Sequence, residues 1–468
     1  MRQVYRCDFF NFKGGESMKK NEVSIKTQSN NMFRLLLSYI IPGIGGLLFN
    51  SLYIVVDGIF VARMLGREPL AAVTIGVPVV EILLALSMLI SVGAGVLISN
   101  KNGRGEYKEA RGIFNMSVRL LAIVSILIAV GALILVSPIA KMLGATPDIM
   151  DLVVEYMTYF FTFSPAFMFS YAMCTWLRND SRPKLAMLAQ IVGALSNVFL
   201  DWYFMGPLKM GIGGAALATG LGPVFSILIM LPHFISKKGN LYFEKVKMDF
   251  KTIFDMLLKG IPSFTMEFAL GITTLCVNIA IGIHMGALGF AAFGIVGYIA
   301  LIILSVFLGM AEGSQPLISF YNGANEDKNM RLILQISLRI SVALGIIAYL
   351  LLFIYTEVPV YVFADNDIEL VNAATNAIIY YFPALFVSGI NILLASYMQS
   401  TGYWKESVVI SLCRSLILLL PLLLVLPKFL GDNGIWVSVP LAEISTLPIA
   451  YILWKPKNRI ITPSVVSR

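Results

Sequence analysis

The sequence predicts an all-α polytopic membrane protein. Twelve transmembrane helices are expected in two six-helix lobes related by a pseudo-twofold axis along the membrane normal. Three observations predict this. Hydrophobic residues make up 58% of the 468 residues and charged residues only 13%, about half the roughly 25% of soluble proteins, and the mean hydropathy is +0.81. Apolar runs long enough to cross a hydrocarbon core of roughly 20 residues recur along the chain. The second half of the chain repeats the first. So few charges could not cover the surface of a soluble fold, which excludes cytosolic enzymes, disordered scaffolds and disulfide-stapled extracellular modules.

The apolar runs place spans near 33–64, 69–99, 113–143, 149–177, 185–206 and 213–235, then 253–283, 289–320, 331–356, 369–400, 406–427 and 434–455. Several exceed the minimum length, as tilted helices do. The first lobe is read as 33–235 and the second as 253–456. A linker at 236–252 joins them, and tails at 1–32 and 457–468 flank them. Pro42, Pro165, Pro262 and Pro383 fall inside spans and are expected to bend them. Residues 1–17 hold no long apolar core and so no signal peptide. Lys13-Gly14-Gly15-Glu16 is what a purine-rich ribosome-binding site would encode, so Met18 is read as the natural start of a bacterial protein and 1–17 as a non-native extension.

The repeat is visible at a shift of 220. Leu97-Ile98-Ser99, Asn102-Gly103, Glu106, Lys108 and Arg111 match Leu317-Ile318-Ser319, Asn322-Gly323, Glu326, Lys328 and Arg331, eight identities in fifteen positions. Pro42 meets Pro262, Gly66 meets Gly286 and Gly93 meets Gly313; at a shift of 221, Tyr159 meets Tyr380 and Lys184 meets Lys405. Six spans per half leave both halves in one orientation, the architecture of secondary transporters with a site between repeats.

The net charge of +8 reads as loop lysines and arginines rather than a nucleic-acid surface. Loops on one face carry Lys101, Arg104, Lys108, Arg111, Arg178, Arg182, Lys184, Lys237, Lys238, Lys245, Lys247, Lys251, Lys328, Arg331 and Lys405, fifteen in all. Those on the other carry five: Arg63, Arg67, Lys141, Lys209 and Lys428. The positive-inside rule makes the richer face cytoplasmic, with both termini inside. Cys7, Cys174, Cys276 and Cys413 are far apart, and His233 and His284 are the only histidines. A zinc site, a disulfide framework and histidine-based catalysis therefore have no material.

Carboxylates inside spans are costly and are functional candidates by default. Asp57 lies about two turns from the outer end of span one. Asp201 is near the outer end of span five with Asn197 one turn earlier on the same face, and Thr219 is about two turns into span six. All four fall at similar depth, an oxygen set suited to a sodium ion or to a carboxyl that loads and releases a proton. Their repeat partners are Val277, Leu418, Leu422 and Pro440, so the second lobe has no equivalent. In the second half Glu267, Glu312 and Glu443 lie within spans. Arg414 is placed to pair with one of them; an unpaired Glu267 or Glu312 would attract a cationic substrate. Glu81 in span two and Gln315 beside Glu312 complete the cavity candidates. The aromatic stretches from Tyr156 to Phe169 and from Tyr380 to Phe386 suit either a pliable cavity or helix packing.

These residues resemble the multidrug and toxic compound extrusion (MATE) family over about 33 to 456. The resemblance rests on Val56-Asp57-Gly58-Ile59-Phe60-Val61, Asn197-Val198-Phe199-Leu200-Asp201 and Gly213-Gly214-Ala215-Ala216-Leu217-Ala218-Thr219. Gly313-Ser314-Gln315-Pro316-Leu317-Ile318-Ser319 with Asn322-Gly323 is similar to the span-eight motif of the bacterial DinF/MepA-like branch. The resemblance implies an antiporter that expels amphipathic, usually cationic, compounds against a proton or sodium gradient, with the cation site at Asp57, Asn197, Asp201 and Thr219. Three departures stand out. Unlike the NorM-like branch, span ten has no acid beyond Glu369 and Glu267 is not at the same spacing from Pro262, so that branch's cation site is not carried over; and Trp202 follows Asp201 where relatives often have Pro.

The expected cycle is alternating access in a bacterial cytoplasmic membrane. A monomer is expected, with no cofactor beyond the coupling ion, no metal beyond that possible sodium, no nucleic-acid partner and no ATP. The alternative within the superfamily is a flippase for lipid-linked oligosaccharide or peptidoglycan precursors, which would favour a more cationic cavity than one deep arginine, Arg414, provides. An integral membrane enzyme is disfavoured because no nucleophile–base pair, metal cluster or G-x-x-x-x-G-K-[ST] loop is present. A passive channel fits poorly with a one-sided ion site.

Overall fold

The computed structural model describes residues 19–364 and 367–459. The proposed start at Met18, the extension 1–17 and the end of the C-terminal tail lie outside the described residues. Twelve helices are long and apolar enough to cross a membrane, and no strand occurs among the described residues. They are α1 (Asn31–Met64), α2 (Glu68–Gly103), α3 (Tyr107–Ile134), α4 (Pro147–Asn179), α5 (Pro183–Met205) and α6 (Gly211–Ile235). The second half holds α7 (Phe250–His284), α8 (Leu288–Gly323), α9 (Asp327–Ile354), α10 (Ile368–Ser400), α11 (Trp404–Leu430) and α12 (Asn433–Lys455).

One predicted span needs correction. The third was expected at 113–143, but α3 ends at Ile134 and a separate short helix, Val136–Met142, follows. Pro138 supplies the reason: its ring clashes with the carbonyl four residues earlier, which is that of Ile134. Pro359, the repeat partner of Pro138 at a shift of 221, lies in the short helix Glu357–Ala364 after α9. Of the prolines expected to bend spans, Pro42, Pro165 and Pro262 sit in unbroken α-helix. Pro383 alone coincides with a change of geometry, the 3₁₀ turn Phe382–Ala384 inside α10.

α3 shows how the sequence sorts its faces. Ile123, Ile126, Leu127, Val130 and Ile134 recur at helical spacing and are exposed, while Ala110, Ile113, Phe114, Ser117 and Leu121 are buried. In a bilayer the apolar exposed face is satisfied by lipid, and the buried face by helix packing.

The buried residues form two large cores, one drawn mainly from α2–α6 and the other mainly from α8–α12. Each core borrows from the other half. Met32, Leu36 and Ile40, four residues apart on one face of α1, join the second core, while Met256 at the start of α7 joins the first. Between lobes, α1 packs on α8, α2 on α7, and α2 on α8. The 220-residue shift exchanges the first two contacts and maps the third onto itself, as a twofold relation requires.

The face bearing the loops 101–111, 178–184, 236–249 and 401–405 is called the basic face below. There the linker straps the first lobe. Arg111 lies 3.7 Å over the Tyr242 ring and its Nε donates to Asn240 O at 3.0 Å. The buried Asp180 carboxylate meets His233 Nε2 at 2.7 Å and accepts from Asn240 N at 3.0 Å. Asp249 caps α7: its side chain accepts from Thr252 Oγ1 at 2.5 Å and from the backbone N–H groups of Thr252 and Lys251. Those bonds hold its carboxyl below the usual carboxylate range. Glu106 is likewise held low by the Lys101 ammonium, 2.6 Å away.

Candidate ion and substrate sites

The first site is built by close packing of three helices near the face opposite the basic one. Gly193 of α5 and Gly222 of α6 face one another: a Cβ on Gly193 would lie 2.0 Å from Ser226 Oγ and 3.0 Å from Gly222 O. Small residues let the two backbones approach, and a Cβ on Gly222 would sit 3.2 Å from Asn197 Cβ. Gly46 of α1 makes similar room for Gln190 of α5. Asp57, Asp201, Asn197 and Thr219 follow one another there in a chain of contacts.

Asp201 is fully buried and Asn197 nearly so; Asp57 and Thr219 are half-buried. The carboxyl groups of Asp57 and Asp201 lie within hydrogen-bonding reach of each other. Asn197, its amide turned to satisfy both neighbours, donates to Asp201 Oδ2 at 3.1 Å and accepts from Thr219 N at 3.2 Å. The Thr219 hydroxyl donates to Ala215 O at 3.0 Å, which leaves its lone pairs open. Asp57 Oδ1 and Asp201 Oδ1 are each buried with no hydrogen-bond partner among the described residues. Two ionised carboxylates have no proton to share, so this contact calls for a bound proton or a cation. The oxygen-only donor set fits either one. No group of three or more His, Cys, Asp or Glu suited to a metal occurs among the described residues.

Two residues of this site were not identified from the sequence. Tyr53 and Tyr156 stand close enough to both carboxyls to interact with them electrostatically. Gly76 of α2 gives the Tyr156 ring its place, since a Cβ there would be 3.1 Å from Cε1. At the matching places in the second half, Val277 is buried and Leu418 and Leu422 pack against the second core.

The cavity candidates divide. Glu81 of α2, Glu267 of α7 and Glu312 of α8 come together: Glu267 feels the charges of both others, and the Glu81 carboxylate lies against Gly271 of α7, where a Cβ would be 2.7 Å from Oε2. Gln315, one turn from Glu312, is buried and bonded elsewhere, its Nε2 donating to Ser319 Oγ at 3.2 Å, which in turn donates to Ser400 O. Glu443 is satisfied within its lobe. Arg414 bonds its Oε1 at 2.5 and 3.1 Å, and Asn391 donates to its Oε2 at 2.7 Å. Arg414 lies in a π-helical segment, Cys413–Ile417, which interrupts α11. Arg178, counted among the loop residues, is instead 3% exposed and pairs with Glu312 at 2.8 Å. It lies one residue from the end of α4, where Asn179 and Asp180 are buried as well.

Comparison with known proteins agrees with this architecture. The MatE family model matches residues 42–203 and 262–425, two copies that begin at Pro42 and its repeat partner Pro262. The multidrug export protein MepA of Staphylococcus saprophyticus is 21% identical over 440 residues, covering 93% of this chain and 97% of that protein. Among solved structures, a MOP superfamily transporter from Pyrococcus furiosus, described by the reverse polarity of its binding pocket, superposes with a TM-score of 0.87 at 20% identity, covering 92% of this chain and 96% of the other. An outward-facing conformation of a multidrug resistance MATE family transporter superposes equally well, TM-score 0.87 at 21% identity over 91% of this chain and 96% of the other. With two family matches together spanning most of its length, this multi-pass membrane protein belongs to the MatE family of transporters.

Proposed function

We propose that the chain is an ion-coupled efflux antiporter that exports amphipathic, cationic small molecules across a bacterial cytoplasmic membrane. The basic face and both termini are cytoplasmic in this reading. The observation that carries it is the touching pair Asp57 and Asp201, each with a buried oxygen that lacks a hydrogen-bond partner among the described residues, at positions where the second lobe has Val277 and Leu422. A second carboxylate group, Glu81, Glu267 and Glu312, spans both lobes. The first is a place for a proton or sodium ion, the second for an organic cation. The MepA relatives carry the name multidrug export protein, which supports the same reading.

In the proposed cycle the outward-open protein binds the ion at Asp57 and Asp201, with Asn197 and Thr219 as further oxygen donors, and the organic cation leaves. The lobes rock, the ion departs inside, and a new cation enters from the cytoplasm or inner leaflet. The two ligands need not touch. Each need only favour one conformation. Expression in a bacterium stripped of its own pumps tests this: ethidium accumulation should fall severalfold, and a protonophore or sodium removal should restore it. Unchanged accumulation, with the protein in the membrane at normal level, would turn the reading toward a lipid-precursor flippase.

A further inference from the structure

The two lobes meet most closely toward the basic face, and the ion pair of Arg178 with Glu312 crosses between them there. Gly93 of α2 presses on α7, where a Cβ would lie 2.1 Å from Met256 O, and Gly260 of α7 presses on Leu89 O at 1.8 Å. The other seam is as close. Gly313 of α8, the twofold counterpart of Gly93, would meet Tyr39 O at 2.7 Å, and Gly309, aligned with Leu89, would meet the Ile44 backbone at 2.6 Å. Nearer the surface, Gly103 and Gly323 abut Phe320 O and Asn100 O, each at 2.0 Å. All these backbone-to-backbone approaches fall in the basic-face half, so opening toward that face must part them.

It must also part Arg178 from Glu312. Arg178 belongs to α4 in the first lobe and Glu312 to α8 in the second, and their side chains are 3% and 16% exposed at 2.8 Å separation. Tyr171, two turns earlier on the same face of α4, donates its hydroxyl to Glu312 Oε1. The Lys101 and Arg414 pairs, by contrast, each stay within one lobe. Breaking a buried pair strands both charges unless each finds a new partner. Parted from Arg178, Glu312 is left beside a second carboxylate, that of Glu267, and needs a new cation.

We propose that Arg178 and Glu312 form a charge-paired gate closing the basic face, and that an organic cation entering from that face replaces Arg178 on Glu312. The internal guanidinium stands in for the substrate while the transporter is closed to that side. A protein carrying neither coupling ion nor organic cation is then held shut by the pair, and once the ion-loaded protein opens the organic cation holds it open by compensating the separated carboxylate. This rests on the proposed cation-export reading only for the identity of the incoming ligand; the gate itself rests on the interlobe pair and the glycine seams.

Amide hydrogen exchange of the full chain in lipid nanodiscs separates the two parts. Without ligand, Arg178→Gln and Glu312→Gln should each exchange severalfold faster than wild type in peptides covering 94–104 and 314–324. The charge-swapped double variant, Arg178→Glu with Glu312→Arg, should recover wild-type protection there. A merely structural loss of packing would not be rescued by the swap. Adding tetraphenylphosphonium should speed exchange of the same peptides in wild type and leave Glu312→Gln and the swapped variant unchanged. Equal protection in wild type and both single variants would overturn the gate. So would a swapped variant no better protected than the single ones. If the single variants do not fold, the wild-type response decides: bound tetraphenylphosphonium without faster exchange overturns the proposal. Failure of tetraphenylphosphonium to bind wild type at all would count against cation export and against the hand-over, while the ligand-free comparison still decides the gate.

Discussion

At the scale of single residues, the candidate ion site turns on two carboxyls that touch and share too few partners. Asp57→Asn or Asp201→Asn keeps the shape and removes the capacity to bind a proton or cation. Each should lower ion-driven export by about 10-fold or more with unchanged membrane insertion, as read by initial efflux rates against protein level. Both aspartates were legible in the sequence because charge inside a span is rare and expensive. Tyr53 was not, and Tyr156 stood out only as the start of an aromatic stretch, since aromatic residues are unremarkable anywhere in a membrane helix. Arg178 misled because Arg182 and Lys184 follow it, and only three-dimensional packing shows it turned inward to Glu312. Outside the membrane, Asp249 gives a pH test. Its folded-state carboxyl is held low by the Thr252 and Lys251 donors, so the cap is complete above the unfolded value of roughly 3.9 and is lost as pH falls through the folded one. Amide protection at 250–254 should therefore exceed that of Asp249→Ala at about pH 6, and the difference should disappear once the pH has fallen below the folded-state value.

At the scale of elements, two contacts make separate predictions. The α5–α6 seam leaves no room for a side chain at Gly193. Gly193→Val should destabilise the protein by roughly 1–3 kcal/mol through overpacking and loosen the contact of Asn197 with Thr219, seen as a lower melting temperature together with impaired export. The linker strap depends on Asp180, which serves His233 and two backbone N–H groups. Asp180→Ala leaves those donors unpaired, at a cost of about 1–3 kcal/mol, and should expose 236–249 to limited proteolysis while α2 and α8 stay protected. Helix positions were readable from hydropathy in all twelve cases. The end of α3 was not, because a proline followed by more apolar sequence looks like a continuing span; the helix stops where the Pro138 ring meets the Ile134 carbonyl.

At the scale of the whole molecule, the repeat at 220 residues carried the two-lobed architecture directly, since duplicated sequence builds duplicated packing. The reciprocal exchange of α1 and α7 between cores was beyond its reach, because a repeat states what is alike and not which copy a helix packs against. The asymmetry between lobes was readable: Asp57 and Asp201 face Val277 and Leu422 in the alignment, and the latter pair packs as plain apolar core. A symmetric scaffold with the Asp57–Asp201 pair in one half suits the proposed antiport cycle, in which two ligands are coupled by rocking rather than by contact. The most direct test is efflux of a fluorescent organic cation from proteoliposomes, with proton and sodium gradients imposed separately on wild type and on Asp201→Asn. The account predicts export driven by one of the two gradients and abolished in the variant. Wild-type levels of gradient-driven export from Asp201→Asn would contradict it.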